Sequence, residues 1–192
     1  MSRFNKSGAD GACPDRRSFL RRATLLCGVG AGALSALPVF ASVPARPRAL
    51  SFVHTHTGEA LTVRYFDGNS YLADSLNDVN HLLRDFRTGE MHVIDPPLLD
   101  ILYDLQQLAD RDAPYEVISG FRSPATNAML HSHSSGVAEH SQHILGKAID
   151  VRLSGFSTRQ LGEFARSMAR GGVGYYASSD FVHLDTSRVR FW

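Results

Sequence analysis

Residues 141–150 constrain what this chain can fold into more than any other segment. They read Ser-Gln-His-Ile-Leu-Gly-Lys-Ala-Ile-Asp, so that His143 and Asp150 lie seven residues apart with Gly146 between them. Because glycine adopts the backbone angles of tight turns at no steric cost, a turn at Gly146 would bring His143 back beside a strand that presents Asp150. An imidazole and a carboxylate suit zinc. The spacing therefore predicts two ligands of a metal site.

A third ligand is offered by His183, in the apolar strand pattern of residues 181–185. Three protein ligands with an open fourth position for water are the composition of a catalytic zinc site, whereas structural sites are closed by four ligands. The two cysteines, Cys13 and Cys27, are too few for a cysteine-built zinc finger or a disulfide scaffold. The sequence thus predicts a catalytic Zn²⁺ site made of two histidines and one aspartate.

These segments resemble the zinc peptidases of the D-Ala-D-Ala carboxypeptidase and dipeptidase type, a group that also includes lysostaphin and hedgehog. Residues 141–150 match all five fixed positions of the family motif Ser-x-His-x-x-Gly-x-Ala-x-Asp. Residues 119–123 match its Ser-Gly-aromatic-Arg-Ser segment, and residues 172–176 and 181–186 resemble the ending of the murein endopeptidase K branch. The resemblance covers nearly all of the chain after the N-terminal leader described below.

The resemblance implies a role for each matching residue. His143, Asp150 and His183 would bind Zn²⁺. Arg122 would hydrogen-bond the substrate carbonyl or a nearby carboxylate and stabilise the developing oxyanion, a task that suits a permanently charged, planar guanidinium. Ser141 would support the site through a hydrogen bond behind the ligands.

The general base departs from the family pattern. The dipeptidase type has a Glu three residues before the last zinc histidine, where this chain has Asp180. The lysostaphin type has a His two residues before it, where this chain has Phe181. Asp180 is the predicted base, with a simple turn residue as the alternative. His140 is a candidate substrate contact, and Asp185 is a candidate substrate contact or hydrogen-bond partner behind the ligands.

The first 41 residues form a basic, apolar leader. They hold six basic and two acidic side chains, whereas the rest of the chain holds 14 basic and 17 acidic ones. Residues 15–21 resemble the twin-arginine export motif, and residues 23–37 form an apolar run of 15 residues, short of the roughly 20 that span a bilayer. Residues 39–41, Val-Phe-Ala, fit a small-residue cleavage site. This pattern predicts a twin-arginine (Tat) signal peptide.

The leader sets the predicted domain organisation: a signal peptide over residues 1–41, a linker over 42–49 and a zinc metallopeptidase domain over 50–192. We expect the mature domain to work in the periplasm without stable membrane insertion. A lipoprotein cut before Cys27 and a buried N-terminal helix are the alternatives. A net charge of +1 over the whole chain gives no reason to expect nucleic acid as a partner.

Apolar periodicity predicts an α+β domain after the leader. Alternation around Thr57-Gly58-Glu59 predicts a β-hairpin over residues 50–66. Further strands are predicted over 115–119, 147–153, 171–176 and 181–185, and helices over 71–86, from Pro96, over 123–131 and over 157–169. Helices that precede and interrupt a run of strands favour a small antiparallel sheet carrying the zinc site and flanked by helices, as in the hedgehog-like peptidases. Trp192 is expected to pack.

The resemblance implies hydrolysis of amide bonds in the cross-link peptides of peptidoglycan, so that the partners are peptidoglycan stem peptides. Two alternatives remain. One is a D,D-carboxypeptidase or dipeptidase that trims stem peptides. The other is a zinc-bearing domain that binds the cell wall without hydrolysis, which the missing Glu keeps open.

Overall fold

The structure is a computed structural model that describes residues 46–134 and 136–192. The predicted signal peptide and the first residues of the predicted linker lie outside this range. Among the described residues, no helix is long and apolar enough to cross a membrane.

Seven strands and four α-helices are interspersed along the described part of the chain. The strands are β1 (Arg48–His54), β2 (Ala60–Phe66), β3 (Tyr115–Ser119), β4 (Ala148–Leu153), β5 (Gly172–Tyr176), β6 (Phe181–Asp185) and β7 (Arg190–Phe191). The helices are α1 (Ala73–Leu82), α2 (Pro96–Leu108), α3 (Pro124–His133) and α4 (Thr158–Met168), with a 3-10 helix over Gln142–Leu145. The first strand begins at Arg48, so the last two residues of the predicted linker belong to the sheet.

The sheet is larger than the small antiparallel one predicted. It has seven strands in the order β2-β1-β3-β4-β6-β5-β7, and it is mixed, because β1 pairs with β3 and β5 pairs with β7 in parallel. Residues 55–114 connect β1 to β3 and include two helices, which is the long crossover that parallel neighbours need. The second parallel pair escaped prediction because β7 is only two residues long. The α+β class is confirmed.

Three helices begin at start signals that the sequence carries. Pro96 opens α2, and proline at a first helical position has no N–H to lose. Ser123 caps α3, since its hydroxyl oxygen accepts from the backbone N–H of Thr126 at 3.2 Å. Ser157 caps α4 in the same way. The predicted helix over 71–86 is shorter than expected and ends at Leu82.

The core lies between the sheet and the helices α2 and α4, which contact each other and several strands. The α2 leucines at 98, 99, 102 and 105 are fully buried, as are Ile149 and Val151 of β4. Successive side chains of a strand point to opposite faces. Asp150, between two core residues, therefore points to the other face of the sheet, which is where the predicted metal site has to form.

Candidate metal centre

The turn that carries His143 forms as predicted. The Ser141 hydroxyl oxygen accepts a hydrogen bond from the backbone N–H of His143 at 3.3 Å and caps the 3-10 helix. Gly146 ends that helix with φ of 65°, and a Cβ atom at this position would collide with the carbonyl oxygen of Val93. Glycine alone combines this backbone angle with so close an approach. Ser141 thus supports the position of His143 by shaping its backbone.

Asp150 and His183 reach the same place from neighbouring strands. The antiparallel register of β4 and β6 sets Asp150 directly opposite His183. Residues that face each other in this way place their side chains on the same side of the sheet, close enough to interact. The 3-10 helix immediately before β4 adds His143 to the pair. The three predicted ligands are therefore brought together by the centre of the sheet.

The distances between the ligand atoms fit a metal ion. His143 Nε2 lies 3.2 Å from His183 Nδ1 and 3.2 Å from an Asp150 carboxylate oxygen, and His183 Nδ1 lies 2.8 Å from the other oxygen. Ligand atoms of a tetrahedral zinc site, each ~2.0–2.1 Å from the ion, stand about 3.3 Å apart. The three residues are buried, with at most 8% of each exposed. Among the described residues, no other cluster of three or more such side chains is spaced to hold a metal ion.

Each histidine has its second ring nitrogen occupied. His143 Nδ1 lies 2.7 Å from the carbonyl oxygen of Gly120, so that its N–H donates there and leaves the Nε2 lone pair for a cation. His183 Nε2 lies 3.0 Å from an Asp185 carboxylate oxygen, so that its N–H donates there and leaves the Nδ1 lone pair for a cation. Metal-binding histidines typically donate their other N–H to a carbonyl or carboxylate. The partners therefore set the tautomers that metal binding requires.

Asp185 lies behind His183, on the side of the imidazole away from the other two predicted ligands. It is 1% exposed, and besides facing His183 it accepts hydrogen bonds from the Arg190 guanidinium at 2.7 and 3.1 Å and from the Ser187 backbone N–H at 2.9 Å. Burial alone would raise the pKa of Asp185, but its hydrogen bonds outweigh this and hold the pKa well below its usual range. Of the two roles predicted for Asp185, the geometry favours the partner behind the ligands.

Arg122 lies beside the predicted ligands. Its Nη2 donates to an Asp150 carboxylate oxygen at 2.9 Å, and its Nε donates to the Ser119 hydroxyl oxygen at 3.0 Å. Its backbone N–H donates to the carbonyl oxygen of His143 at 3.2 Å. These contacts fix the guanidinium next to the carboxylate, which is one of the two interactions that the family resemblance implies for it.

Burial and neighbouring charges set the ionisation of the three predicted ligands. Burial lowers the pKa of His143 despite the opposing effect of the Asp150 carboxylate. Burial also acts to lower the pKa of His183, but hydrogen bonds with Asp150 and Asp185 outweigh it and raise the pKa. Burial alone would raise the pKa of Asp150, yet His143 and His183 hold it far below its usual range. Asp150 is therefore ionised, the form in which a carboxylate binds a cation.

Asp180 stands apart from this group. Its carboxylate lies 3.6 Å from Arg152 Nε and its side chain is 64% exposed, while its carbonyl oxygen accepts from the same guanidinium. Its φ of 51° is the left-handed conformation of a turn residue. Ser179 and Phe181 on either side line the cleft above the ligands, but Asp180 does not. In this conformation Asp180 corresponds to the alternative of a turn residue.

A cleft opens above the three predicted ligands. Arg122, Ser141 and His140 of the predicted site residues line it together with the ligands themselves. Part of the lining comes from the loop between α3 and the 3-10 helix, where the Asn127 amide donates to the carbonyl oxygens of residues 138 and 139, both at 3.1 Å. His140 therefore lines the cleft, and its role as a substrate contact stays a prediction.

The cleft also contains an aromatic cluster that the sequence patterns do not predict. Tyr176, Phe181 and Trp192 all line the cleft, although Trp192 was expected only to pack. A signal was available in β5, where Gly172 and Gly174 alternate with larger residues. Glycine inside a strand marks a close approach by another group, and here the indole of Trp192 lies directly against Gly174.

The mixed sheet carries a buried group of two histidines and one aspartate in an open cleft, an arrangement that fits a metallopeptidase. The family model for peptidoglycan L,D-endopeptidase MepK matches residues 42–192, and the chain belongs to this family.

Curated relatives of the chain carry the same description. The peptidoglycan L,D-endopeptidase MepK of Escherichia coli K12 is 42% identical over 174 residues, which is 90% of this chain and 96% of the relative. The probable peptidoglycan L,D-endopeptidase MepK of Haemophilus influenzae is 43% identical over 148 residues, or 77% of this chain and 80% of the relative. No solved structure matches the chain. These matches confirm the family resemblance found in the sequence.

Proposed function

We propose that this protein is a Zn²⁺-dependent murein endopeptidase that hydrolyses amide bonds in the cross-link peptides of peptidoglycan. The observation that carries the proposal is the set of three buried ligand atoms, 2.8–3.2 Å apart, beneath an open cleft. The family and the curated relatives support the substrate class. Because those relatives are named L,D-endopeptidases, we propose the L,D bond that joins two diaminopimelate residues as the bond cleaved.

Each residue in or beside the cleft has its own proposed role in the reaction. His143, Asp150 and His183 would hold the ion. When bound, Zn²⁺ would supply a Lewis acid that polarises the scissile carbonyl and lowers the pKa of a water molecule. Arg122 would donate to the substrate carbonyl oxygen as negative charge develops on it. Asp185 would keep His183 in the orientation that metal binding requires.

Proton transfer is proposed for Asp180, which would take a proton from the attacking water and return it to the leaving amine. For this its carboxylate would have to leave Arg152 and turn towards the cleft, whose lining already includes the residues before and after it. His140, which lines the cleft in the present conformation, is the second candidate for this role.

We propose export by the Tat pathway and a periplasmic site of action, since peptidoglycan lies outside the cytoplasm. The proposed division of the chain is a signal peptide over residues 1–41 and a metallopeptidase domain in the remainder. The family match over residues 42–192 is compatible with this division.

Digestion of purified sacculi tests the proposed function. The Zn²⁺-loaded protein is expected to remove cross-linked muropeptide dimers and to release the corresponding monomers. Accumulation of shortened monomers with dimers intact would assign the protein to the carboxypeptidases or dipeptidases. Unchanged sacculi with Zn²⁺-loaded, folded protein would leave the non-hydrolytic wall-binding domain as the function.

A further inference from the structure

Trp192 is held rigidly at the cleft although it lies at the edge of the sheet. Its backbone N–H donates to the carbonyl oxygen of Val173 at 3.2 Å, and its own carbonyl oxygen accepts from the Tyr175 N–H at 3.1 Å. The indole N–H donates to the Tyr176 hydroxyl at 2.9 Å. These three bonds fix both the main chain and the ring, so that little side-chain entropy remains to be lost on binding a ligand.

The ring is exposed where a substrate would lie. Trp192 is 45% exposed, and its ring centroid lies 5.3 Å from that of His183, a predicted metal ligand. Tyr176 and Phe181 continue the aromatic surface, stacked with centroids 4.6 Å apart. A large aromatic surface that is left open to solvent and held in place beside a predicted metal site is a preformed binding surface.

Arg190, the cation beside the Trp192 ring, is paired with a carboxylate. The Arg190 guanidinium lies 5.0 Å from the Trp192 ring centroid, but it is paired through two hydrogen bonds with the buried Asp185. Arg190 itself lines the cleft, but its Nη1 also donates to the Ser187 hydroxyl and to the Arg188 carbonyl oxygen, so that Nη1 and Nη2 are already occupied by partners within the chain. The aromatic surface therefore selects for an apolar group rather than a carboxylate.

We propose that Trp192, extended by Tyr176, binds the aliphatic side chain of the residue that adjoins the scissile amide, and that Trp192 thereby determines substrate specificity. This inference rests on the proposed function. The short distance to His183 restricts the bound group to one attached close to the reacting carbonyl. The sugars of peptidoglycan stand at the far end of the stem peptide from a cross-link, so the methylene chain of a cross-linking residue suits this position.

Gly174 provides a second position at which the proposal can be tested. A Cβ atom at this position would lie 2.6 Å from Cε2 and Nε1 of the Trp192 indole, so that Gly174→Ala must displace the ring. The two substitutions act on one surface. If the ring is what binds substrate, their effects overlap, and the double variant is no worse than the more impaired single variant.

The experiment measures kcat, KM and bound Zn²⁺ for the mature protein and its variants on a cross-linked peptide dimer stripped of sugars. Trp192→Ala and Gly174→Ala are each expected to raise KM about 10-fold, the scale on which hydrophobic pockets discriminate by a methylene group, with Zn²⁺ content unchanged and with non-additive effects. Trp192→Phe should recover part of the loss. Phe191→Ala is the matched control, because Phe191 is a neighbouring exposed aromatic that does not line the cleft.

Several outcomes would overturn the inference. An unchanged KM in Trp192→Ala, additive effects with Gly174→Ala, or a loss of bound Zn²⁺ would each do so. A loss confined to dimers that still carry their disaccharides would assign the surface to sugar instead. If Trp192→Ala fails to fold, Trp192→Phe and Gly174→Ala decide the question. Absence of hydrolysis by the unsubstituted protein would contradict the proposed function and is distinct from all of these results.

Discussion

The two predicted histidine ligands obtain their orientation from different kinds of partner. His143 donates to a backbone carbonyl oxygen, that of Gly120, whereas His183 faces the side-chain carboxylate of Asp185. A carboxylate partner also raises the basicity of the imidazole it orients. Of the two partners, only Asp185 can be altered by a substitution that leaves the backbone in place, so it provides the direct test of how much the outer hydrogen bond contributes.

At the scale of the residue, we predict that Asp185→Asn weakens Zn²⁺ binding by about 10- to 100-fold, the usual cost of losing such a partner. The amide is uncharged and cannot support His183 as a carboxylate does. Competition with a chelator at fixed pH measures the affinity. Asp104→Asn is the matched control, since Asp104 also pairs with an arginine, Arg170, but at the surface. Equal affinities in the two variants would remove Asp185 from the site.

A second prediction at this scale concerns proton transfer. Asp180→Ala is expected to retain Zn²⁺ and to lower kcat by at least about 100-fold, in keeping with the usual contribution of a general base. His140→Ala is the comparison, because His140 already lines the cleft. Unchanged turnover in Asp180→Ala would exclude it as the base, and a large loss of kcat in His140→Ala would then assign the proton transfer to His140.

At the scale of the element, the segment after α1 holds the loop that carries Arg122 in place through hydrogen bonds. The backbone N–H of Phe121 donates to the Leu83 carbonyl oxygen at 2.8 Å, and the N–H of Ser123 donates to the buried Asp85 carboxylate at 2.9 Å. A Cβ atom at Gly120 would collide with Leu83. This contact explains why α1 stops at Leu82, earlier than its apolar pattern predicted: the following residues are used to hold the loop.

The buried Asp85 carboxylate makes the stability of this contact depend on pH. Burial acts to raise the pKa of Asp85, but hydrogen bonds from Thr126, Ser123 and Arg87 outweigh it and lower the pKa to about 2. Since the unfolded value is about 3.9, the carboxylate stabilises the fold above about pH 4, and this contribution is lost as the pH falls towards 2.

We therefore predict that Asp85→Asn lowers the free energy of unfolding at pH 7 by about 2 kcal/mol, and that the difference from the unsubstituted protein shrinks below about pH 4. Denaturant unfolding at several pH values measures both effects. Asp112→Asn, at an exposed position, is the control and should change little. A difference that stays constant down to pH 2 would contradict the assignment of this pH dependence to Asp85.

At the scale of the whole molecule, the proposed division between leader and enzyme predicts a dependence on the twin arginines. Replacing Arg16 and Arg17 by lysine in the full chain should prevent export, because the Tat motif would be lost, and should leave the precursor in the cytoplasm. Cell fractionation and immunoblotting measure the distribution. Cys27→Ser distinguishes the lipoprotein alternative: it should leave export and processing unchanged, whereas loss of membrane-associated mature protein would favour lipidation.

Two of the three predicted metal ligands, His143 and Asp150, could be predicted from local sequence features, whereas His183 joins them only through the pairing of β4 with β6. Gly146 fixes a turn, and His143 and Asp150 lie on either side of it. The conformation of Asp180 could not be found in this way, since its pairing with Arg152 depends on the strand beside it. Trp192 was missed for a similar reason: its place in the cleft follows from the pairing of a two-residue strand, which leaves almost no periodic signal.

In the fold, too, the features set by local sequence were predicted, whereas those set by long-range contacts were not. Start signals at Pro96, at Ser123-Pro124 and at Thr158 predicted where α2, α3 and α4 begin, and the bounds of β3 agree with its apolar pattern. Strand direction and order were less accessible, because they depend on the path of the chain through α1 and α2 before β3 pairs with β1. Periodicity identifies a strand, but it does not specify the neighbour with which that strand pairs.

The position of Trp192 has an optical consequence. It is the single tryptophan of the chain, and its ring lies 5.3 Å from that of His183. The intrinsic tryptophan fluorescence of the protein therefore originates entirely from the wall of the cleft. A titration with Zn²⁺ or with a cross-linked peptide can be followed through this emission without any label, and the signal reports on this cleft alone rather than on an average over the fold.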